Sequence, residues 1–182
     1  AGDELGGSRF LKVCHGKKVG PPPHLDLAHE IKIQNAVRDL IRAGLVKSAH
    51  DCSEGGLAVA LAESCFNPKG KLGAEIRVEA PVSGAAAGTV PVRLGPATTL
   101  FNESQSRIVI SVAPKNLQKT TSILEKAGVP FQQLGRVGGD KLSIAVATEK
   151  FSWPVADLYD DWWNSIRRLV ESESCAEGIP SL

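Results

Sequence analysis

The chain has 182 residues, with 21 basic and 20 acidic side chains that leave a formal net charge of +1. This length suits one domain with its own core, and the near-neutral charge lacks the basic surface that nucleic acid or an anionic membrane would require. No run of about 18 or more apolar residues is present, so the sequence predicts no transmembrane segment.

The start of the chain and its cysteines bear on cellular location. Residues 1–4 lack the basic and apolar regions of a secretory signal peptide. Four cysteines without C-x-x-C spacing favour reduced thiols. These features favour a cytoplasmic protein. The sequence contains no methionine, which is typical of a piece of a longer polypeptide.

A linker, one domain and a short tail are predicted along the chain. Residues 1–24 end in Pro21-Pro22-Pro23, which favours a stiff polyproline spacer, so we expect them to connect to a preceding domain. A single folded domain is predicted over residues 25–171, and residues 172–182 are expected to be a frayed tail.

The hydrophobic pattern switches between the periods of helices and strands. Asp26 is a plausible N-cap for an amphipathic helix, and a later helix is apolar almost all round, which is typical of the interior of a domain. Such an alternation predicts an α+β fold of the α/β-sandwich type, with helices packed on a mixed, mostly antiparallel sheet. The predicted elements, in chain order, are helix 27–43, strand 46–49, helix 56–66, strand 74–78, a mobile loop at Ser83–Gly88, strand 107–113, helix 114–127, strands 131–137 and 142–147 joined by a hairpin turn at Gly138–Asp140, and a helix from Trp153-Pro154 to Val170.

The last predicted helix carries aromatic side chains that we interpret as packing residues. One of its faces is predicted to enter the core, whereas Trp163 lies off that face and is a candidate for packing against a neighbouring domain. The predicted core face consists of Val155, Leu158, Tyr159, Trp162 and Ile166.

The segment His50–Leu57 carries the strongest candidate for a ligand site. Ser53 is predicted to cap the following helix, while Gly55 and Gly56 leave its N-terminal N–H groups open to phosphate or another anion. Asp51 is a candidate to hold a ribose hydroxyl or to orient a neighbouring base. The alternative is a structural turn that a carboxylate caps.

Three segments of the chain resemble one enzyme family. Residues 49–57 resemble the glycine loop of the aminoimidazole ribonucleotide synthetase-related superfamily, and most closely that of the phosphoribosylformylglycinamidine synthase family. Residues 100–107 resemble its Ser-Glu-Ser-Gln-x-Arg element, with Asn102 in place of the usual Ser. Residues 5–11 resemble the passage between two domains in that family's second catalytic half. The order and spacing of the three agree with the family across residues 5–170.

The resemblance implies a fold and further site residues. The family's C-terminal domain is an α/β sandwich with partial ferredoxin-like topology. The matching element in the family's first half contacts formylglycinamide ribonucleotide through its Glu-Ser-Gln triplet, which makes Glu103, Ser104 and Gln105 candidates for substrate contact. The enzyme is internally duplicated and this chain resembles the second copy. The alternative is therefore a degenerate pseudo-site that serves folding or domain contact.

Metal binding and thiol catalysis are less favoured interpretations. Adjacent residues on a strand point to opposite faces, so His50, Asp51 and Glu54 suit a common ion poorly, and the family's magnesium ligands lie in a domain outside this chain. Cys52 stands near a helix N-terminus, which lowers a thiol pKa, but no catalytic partner is recognisable and a small buried residue is the preferred interpretation. We assign no catalytic and no metal-binding residue, and place glutamine hydrolysis in another domain or subunit.

The resemblance further implies the C-terminal domain of an ATP-dependent ligase of purine biosynthesis. The whole enzyme uses ATP and Mg²⁺ to activate the amide oxygen of formylglycinamide ribonucleotide as a phosphate ester, which ammonia displaces to give formylglycinamidine ribonucleotide. Its implied partners are the preceding domains of the same polypeptide, a glutaminase subunit and a small accessory subunit. We expect the isolated chain to hold neither cofactor and to be inactive.

Two alternatives stand beside this function. One is a superfamily relative that acts on selenide, thiamine phosphate or a hydrogenase carbamoyl group, against which the Asn-Glu-Ser-Gln element argues. The other is a non-catalytic folding or docking module, which predicts no affinity for nucleotide or substrate and tight association with the other domains.

Overall fold

The computed structural model describes residues 5–67, 70–80, 82–83 and 92–176. Its helices are α1 (Arg9–His15), α2 (Leu27–Arg42), α3 (Gly56–Ser64), α4 (Pro96–Phe101), α5 (Leu117–Lys126) and α6 (Val155–Ala176). Its strands are β1 (Val46–Asp51), β2 (Ala74–Val78), β3 (Val82–Ser83), β4 (Val92–Arg93), β5 (Ile108–Val112), β6 (Gly135–Val137), β7 (Lys141–Val146) and β8 (Glu149–Pro154). One turn of 3₁₀ helix, Pro114–Asn116, leads into α5.

A four-stranded sheet, in the order β6-β2-β7-β8, forms the larger part of the fold. β2 runs parallel to β7, whereas the β6–β2 and β7–β8 pairs are antiparallel. The alternation predicted for β2 is confirmed, because its three apolar side chains are buried and Glu75 and Arg77 are exposed. Side chains of α3 and α6 pack on the buried face of the sheet. This core includes Leu57, Ala60, Leu61, Ala74, Ile76, Val78, Leu142, Ile144, Val146 and Val155.

A separate antiparallel ribbon of β1 and β5 carries the second core. The predicted amphipathic helix is confirmed as α2, whose apolar face packs with α5 around a fully buried Leu40. A third pair, β3 and β4, is also antiparallel. With its mostly antiparallel strands and packed helices, the structure confirms the predicted α+β class. The second core consists of Ile33, Ala36, Leu40, Leu45, Leu124 and Val129.

The predicted hairpin between β6 and β7 is wrong, because β2 lies between these strands. The loop at 138–140 passes over the start of β2: Gly138 donates its N–H to the oxygen of Gly73 at 2.8 Å, and Gly73 donates its N–H to the oxygen of Gly139 at 2.8 Å. The hairpin of this region instead joins β7 to β8 through Ala147, whose φ is +53°. β8 is absent from the sequence prediction, which begins the last helix at Trp153-Pro154, next to the observed start of α6.

Two short helices, α1 and α4, also escape prediction. α1 lies within the predicted linker, where the Ser8 hydroxyl caps it and Gly16 ends it in the left-handed conformation. Helices of 7 and 6 residues give too few turns for a periodic pattern. Packing between the two helices stabilises them where local helix propensity is insufficient, since the rings of Phe10 and Phe101 stack with centroids 5.1 Å apart.

The last helix is longer and more exposed than predicted. α6 continues past the predicted helix end at Val170 to Ala176, and residues 177–182 of the predicted tail lie outside the described part. Val155 is buried in the core, but Ile166 is 75% exposed. The predicted core face is therefore wrong for Ile166 and for Trp162, which is 48% exposed, because this part of α6 presents the face to solvent. Most of the predicted mobile loop, residues 84–88, likewise lies outside the described residues.

Candidate functional site

The three segments that carry the family resemblance meet at one carboxylate, that of Glu103. Its Oε1 accepts the backbone N–H of Arg9 at 2.9 Å and the backbone N–H of Gly55 at 2.8 Å. The Arg9 guanidinium in turn contacts Glu54, with Nε 2.7 Å from Oε2. A single acidic side chain thus joins the start of α1, the glycine loop and the segment after α4.

The glycine pair is required by its positive φ angles and by close contacts, which for Gly56 are with the backbone of residues 100–102. Gly55 and Gly56 both have positive φ, +81° and +62°. A Cβ on Gly56 would lie 2.3 Å from the carbonyl oxygen of Asn102, and one on Gly55 would lie 2.3 Å from a methyl group of Val59. Because the loop packs directly on the residue after α4, Glu103 reaches the N-terminus of α3.

The predicted capping role of Ser53 is wrong. α3 begins with Gly55 as its N-cap and no side-chain cap, since the two left-handed glycines complete a turn before the helix starts. The Ser53 hydroxyl instead donates to Oδ2 of Asp51 at 2.9 Å, and its carbonyl accepts the N–H of Gly56 at 3.0 Å. Glu103 therefore accepts the N–H of Gly55, the N-cap residue just before α3. The Ser53 hydroxyl and the Asp51 carboxylate lie on the exposed side of the loop.

The segment of residues 100–107, here called the second motif, is stabilised internally by Asn102, which is buried. Its amide nitrogen donates to the oxygens of Thr98 and Thr99 at 2.6 and 3.1 Å, and so closes the C-terminus of α4. Its backbone oxygen accepts a hydrogen bond from the Arg107 guanidinium at 2.5 Å. An amide can donate twice where a serine hydroxyl donates once, so the Asn at this position suits a helix end with two free carbonyls.

The Glu-Ser-Gln triplet divides into buried and exposed members. Ser104 is 1% exposed, and its backbone oxygen accepts from Arg107 at 3.2 Å. Gln105 is exposed, and its side-chain amide donates to the backbone oxygen of Glu103 at 3.3 Å. Of the triplet, Gln105 is thus the side chain that faces solvent.

Glu30 ties α2 to the end of the second motif. Its carboxylate accepts the hydroxyl of Ser106 at 2.5 Å and the side-chain amide of Gln34 at 2.6 Å. These two hydrogen bonds lower the pKa of Glu30, with the bond from Ser106 as the larger cause. Ser106 itself has a φ of +63°, a conformation that turns the chain from the motif into β5.

His50 belongs to a separate contact on the other side of β1. Its Nε2 lies 3.1 Å from Oε2 of Glu63, and Oε1 of the same carboxylate accepts the indole N–H of Trp162 at 3.2 Å. Across the described ranges, no three His, Cys, Asp or Glu side chains converge as they would around a metal ion.

Three of the four cysteines split between core and surface. Cys52 and Cys65 are buried and Cys14 is exposed, all as free thiols. Burial raises the pKa of the Cys52 thiol, with the nearby Arg107 opposing the effect less strongly. The interpretation of Cys52 as a small buried residue is confirmed.

One family model matches most of the chain. The C-terminal domain of AIR synthase related proteins aligns with residues 1–147. The chain belongs to this family. Its AIR synthase related domain therefore contains both the glycine loop and the Asn102–Arg107 segment, as the resemblance predicted.

Relatives of this AIR synthase related domain are parts of larger proteins. Phosphoribosylformylglycinamidine synthase subunit PurL from Anaeromyxobacter dehalogenans strain 2CP-1 is 40% identical over 181 residues, which is 96% of this chain and 22% of that protein. The same subunit from Thermus thermophilus is 38% identical over 168 residues, which is 92% of this chain and 21% of that protein. The chain spans about a fifth of the length of these relatives.

Solved structures share the fold of this AIR synthase related domain. Thermotoga maritima PurL complexed with FGAR has a TM-score of 0.59 and 24% identity, over 77% of this chain and 21% of that chain. The same protein complexed with ATP has a TM-score of 0.60 and 23% identity, over 86% and 24%. PurLQS from the same organism has a TM-score of 0.58 and 22% identity, over 82% and 24%. At these identities the likeness shows the fold.

The sequence missed three residues of the AIR synthase related site. Glu30 was indicated only weakly, as an acid four residues before Gln34 on the polar side of the amphipathic helix α2. Arg9 lay in a segment predicted to be a linker, and the structural role of Asn102 was invisible without α4. The seven predicted site residues lie on the two adjoining segments: Asp51, Ser53, Gly55, Gly56, Glu103, Ser104 and Gln105.

Proposed function

We propose that this chain is the C-terminal domain of a phosphoribosylformylglycinamidine synthase, an ATP-dependent C–N ligase of purine biosynthesis. The observation that carries this proposal is its 40% identity to a PurL subunit over 96% of the chain. The whole enzyme would convert formylglycinamide ribonucleotide and ammonia to formylglycinamidine ribonucleotide. Because the chain spans about a fifth of such a protein, it contributes part of the site and we expect no turnover from it alone.

In this proposal the two motifs form one wall of the substrate or phosphate site. Asp51, Ser53 and Gln105 present exposed side chains with carboxylate, hydroxyl and amide groups, which suit the hydroxyls, amide and phosphate of a ribonucleotide. Glu103 holds the wall together through its carboxylate, and Gly56 does so through its close backbone contact with Asn102. A PurL complexed with FGAR supports this class of ligand.

ATP and Mg²⁺ belong to the proposal for the whole enzyme. A PurL complexed with ATP supports the nucleotide. Within the described residues no set of acidic or histidine side chains suits Mg²⁺. The Glu103 carboxylate already accepts the N–H of Gly55, the N-cap of α3, beside the helix end that a phosphate would approach. The residues present do not fit either cofactor, so we assign neither ATP nor Mg²⁺ to this chain.

The proposed partners are preceding domains of the same polypeptide, a glutaminase subunit and a small accessory subunit. The greater length of the relatives supports further domains, and the PurLQS structure supports an assembly of several subunits. Along the described stretches, no helix is long and apolar enough to cross a membrane. We propose a cytoplasmic location, as suits a biosynthetic ligase.

A second candidate is a non-catalytic docking module within the same enzyme. The observation that favours it is the closure of Glu103 on donors from both neighbouring segments, because the motifs then satisfy each other without a ligand. This candidate predicts that neither Asp51 nor Gln105 affects turnover.

A chimera tests the proposal. The region of the Anaeromyxobacter PurL that matches this chain is replaced by it, and ammonia-dependent formation of formylglycinamidine ribonucleotide is measured. We expect activity within about tenfold of the parent, and a further loss of about tenfold or more in kcat/KM with Gln105→Ala. Gln118→Ala, an exposed glutamine on α5, is the matched control and should change nothing.

The outcomes separate the two candidates. An assembled, folded chimera without activity contradicts the synthase assignment. An active chimera in which Gln105→Ala and Gln118→Ala behave alike supports the docking module. Calorimetric titration of the chain with formylglycinamide ribonucleotide and with Mg–ADP then locates any binding, because loss in Ser53→Ala indicates the glycine loop and loss in Gln105→Ala alone indicates the second motif.

A further inference from the structure

The outward face of the four-stranded sheet carries a groove that the proposed function does not use. It has a cavity volume of about 350 Å³, and β7 forms its floor. The floor is low because the outward residues of β7 are the small Ser143 and Ala145, while the neighbouring strands carry long side chains. α3 packs on the opposite face of the sheet, so this groove is separate from the candidate site.

Cationic side chains from three strands stand around this floor. Arg77 on β2 and Lys150 on β8 are both register partners of Ala145, one on each side of it. Arg136 on β6 lines the same side as Arg77, two residues away along the sheet, opposite Glu75. The groove is therefore bounded by positive charge on both sides of a small central residue.

None of these three cations forms an ion pair with a residue in the described part of the chain. No described carboxylate oxygen lies within 4.0 Å of Arg77, Arg136 or Lys150. Three cations against Glu75, the one acid in the lining, leave a formal charge of +2, although the whole chain carries only +1. Like charges that Glu75 only partly offsets repel one another, and an anion between them would relieve that repulsion.

Hydroxyl groups add directional donors at one end of the groove. Ser143 lies opposite Ser152 on β8, and their hydroxyl oxygens are 2.8 Å apart. One hydroxyl donates to the other, so the accepting hydroxyl keeps a hydrogen to offer. Guanidinium forks and hydroxyl donors together suit the oxygens of phosphate groups, which take several charge-assisted hydrogen bonds at once.

We propose that this groove binds a small anion with two or more negative charges, of the diphosphate or phosphate-ester class. The anion lies over Ala145, between Lys150 on one side and Arg77 and Arg136 on the other. A compact anion with charge at two points can meet both sides, whereas one carboxylate meets only one of them. The site does not rest on the proposed function of the glycine loop.

Titration with inorganic pyrophosphate tests the groove. Calorimetry on the whole chain measures Kd, and amide chemical shifts locate the ion, with Ser143 and Ala145 expected to move most. The double variant Arg77→Gln/Lys150→Gln should weaken binding by about tenfold or more. Its control, Lys119→Gln/Lys126→Gln on the exposed face of α5, removes the same net charge and should leave Kd within about twofold.

A second variant keeps every charge and changes only the shape. Ala145→Leu fills the floor and should weaken pyrophosphate binding by about fivefold or more, with circular dichroism to verify the fold. Equal weakening in the groove and control double variants would indicate general charge attraction and overturn the site. Shift changes at α3 instead of β7 would overturn it too. So would saturable binding of hexaglutamate with none of pyrophosphate, which would assign the groove to an acidic peptide.

Discussion

Removal of the Glu103 carboxylate tests how the three family segments are held together. Glu103→Ala leaves the N–H groups of Arg9 and Gly55 without the acceptor that now lies at 2.9 and 2.8 Å. Hydrogen bonds to a charged acceptor contribute about 1.5–3 kcal/mol each, and Glu103 is only half-buried, so water replaces part of each bond. We expect a loss of about 2–3 kcal/mol in the free energy of unfolding.

Two further variants separate charge from geometry. Glu103→Gln keeps an acceptor oxygen at the same place, so its cost should be about 1 kcal/mol. Glu54→Ala removes only the exposed ion pair with Arg9 and should cost less than about 1 kcal/mol. Urea unfolding with a constant m-value measures these differences, and amide exchange at Gly55 reports the local opening.

One pattern of results would refute this reasoning. If Glu103→Ala costs no more than Glu54→Ala, and exchange at Gly55 does not accelerate, the carboxylate does not hold the segments together. A loss of stability without faster exchange at Gly55 would likewise assign the effect to some other contact of Glu103.

Three other predictions follow from the site. Gly56→Ala should cost more than about 3 kcal/mol because its Cβ would overlap a backbone oxygen at 2.3 Å, whereas Gly44→Ala, with positive φ and open space, should cost about 1 kcal/mol in chemical unfolding. Because the folded-state pKa of Glu30 is lowered, its contribution to stability is present above its ordinary pKa of 4.5 and is lost as pH falls through the folded value; Ser106→Ala should raise that pKa in an NMR titration and reduce the loss. The raised pKa and burial of Cys52 predict slow labelling by a thiol reagent until urea unfolds the chain, and labelling as fast as that of a free peptide would contradict it.

Local patterns predicted the elements that carry their own signal. The stripe that buries Leu40 and the alternation around Ile76 depend on side chains a few residues apart, so the sequence contains all the information they need. The insertion of β2 between β6 and β7 depends instead on residues far apart in the chain. A turn at Gly138–Asp140 looks the same in sequence whether its two strands pair or enclose a third.

The same limit applies to the site. The glycine loop and the Glu-Ser-Gln triplet were recognisable by resemblance, and their proximity is now explained by Gly56 packing on Asn102. Which side chains face solvent was not predictable, because Ser104 is buried by α4, a helix too short for a pattern. The partners of Glu103 lie 94 and 48 residues away, at Arg9 and Gly55, so no local pattern could indicate them.

The central position of β2 also sets a hazard during synthesis. Both of its neighbours, β6 and β7, lie roughly 55–65 residues further along the chain, which takes the ribosome about 3–13 s at typical rates. Throughout that interval the strand has emerged with both edges unsatisfied, and its apolar side chains could join those of other nascent chains. The other face of β2 carries the charged side chains of Glu75 and Arg77, which disfavour such intermolecular pairing. Neutralising both would therefore lower the yield of soluble chain in the cell more than it lowers the stability of the folded domain.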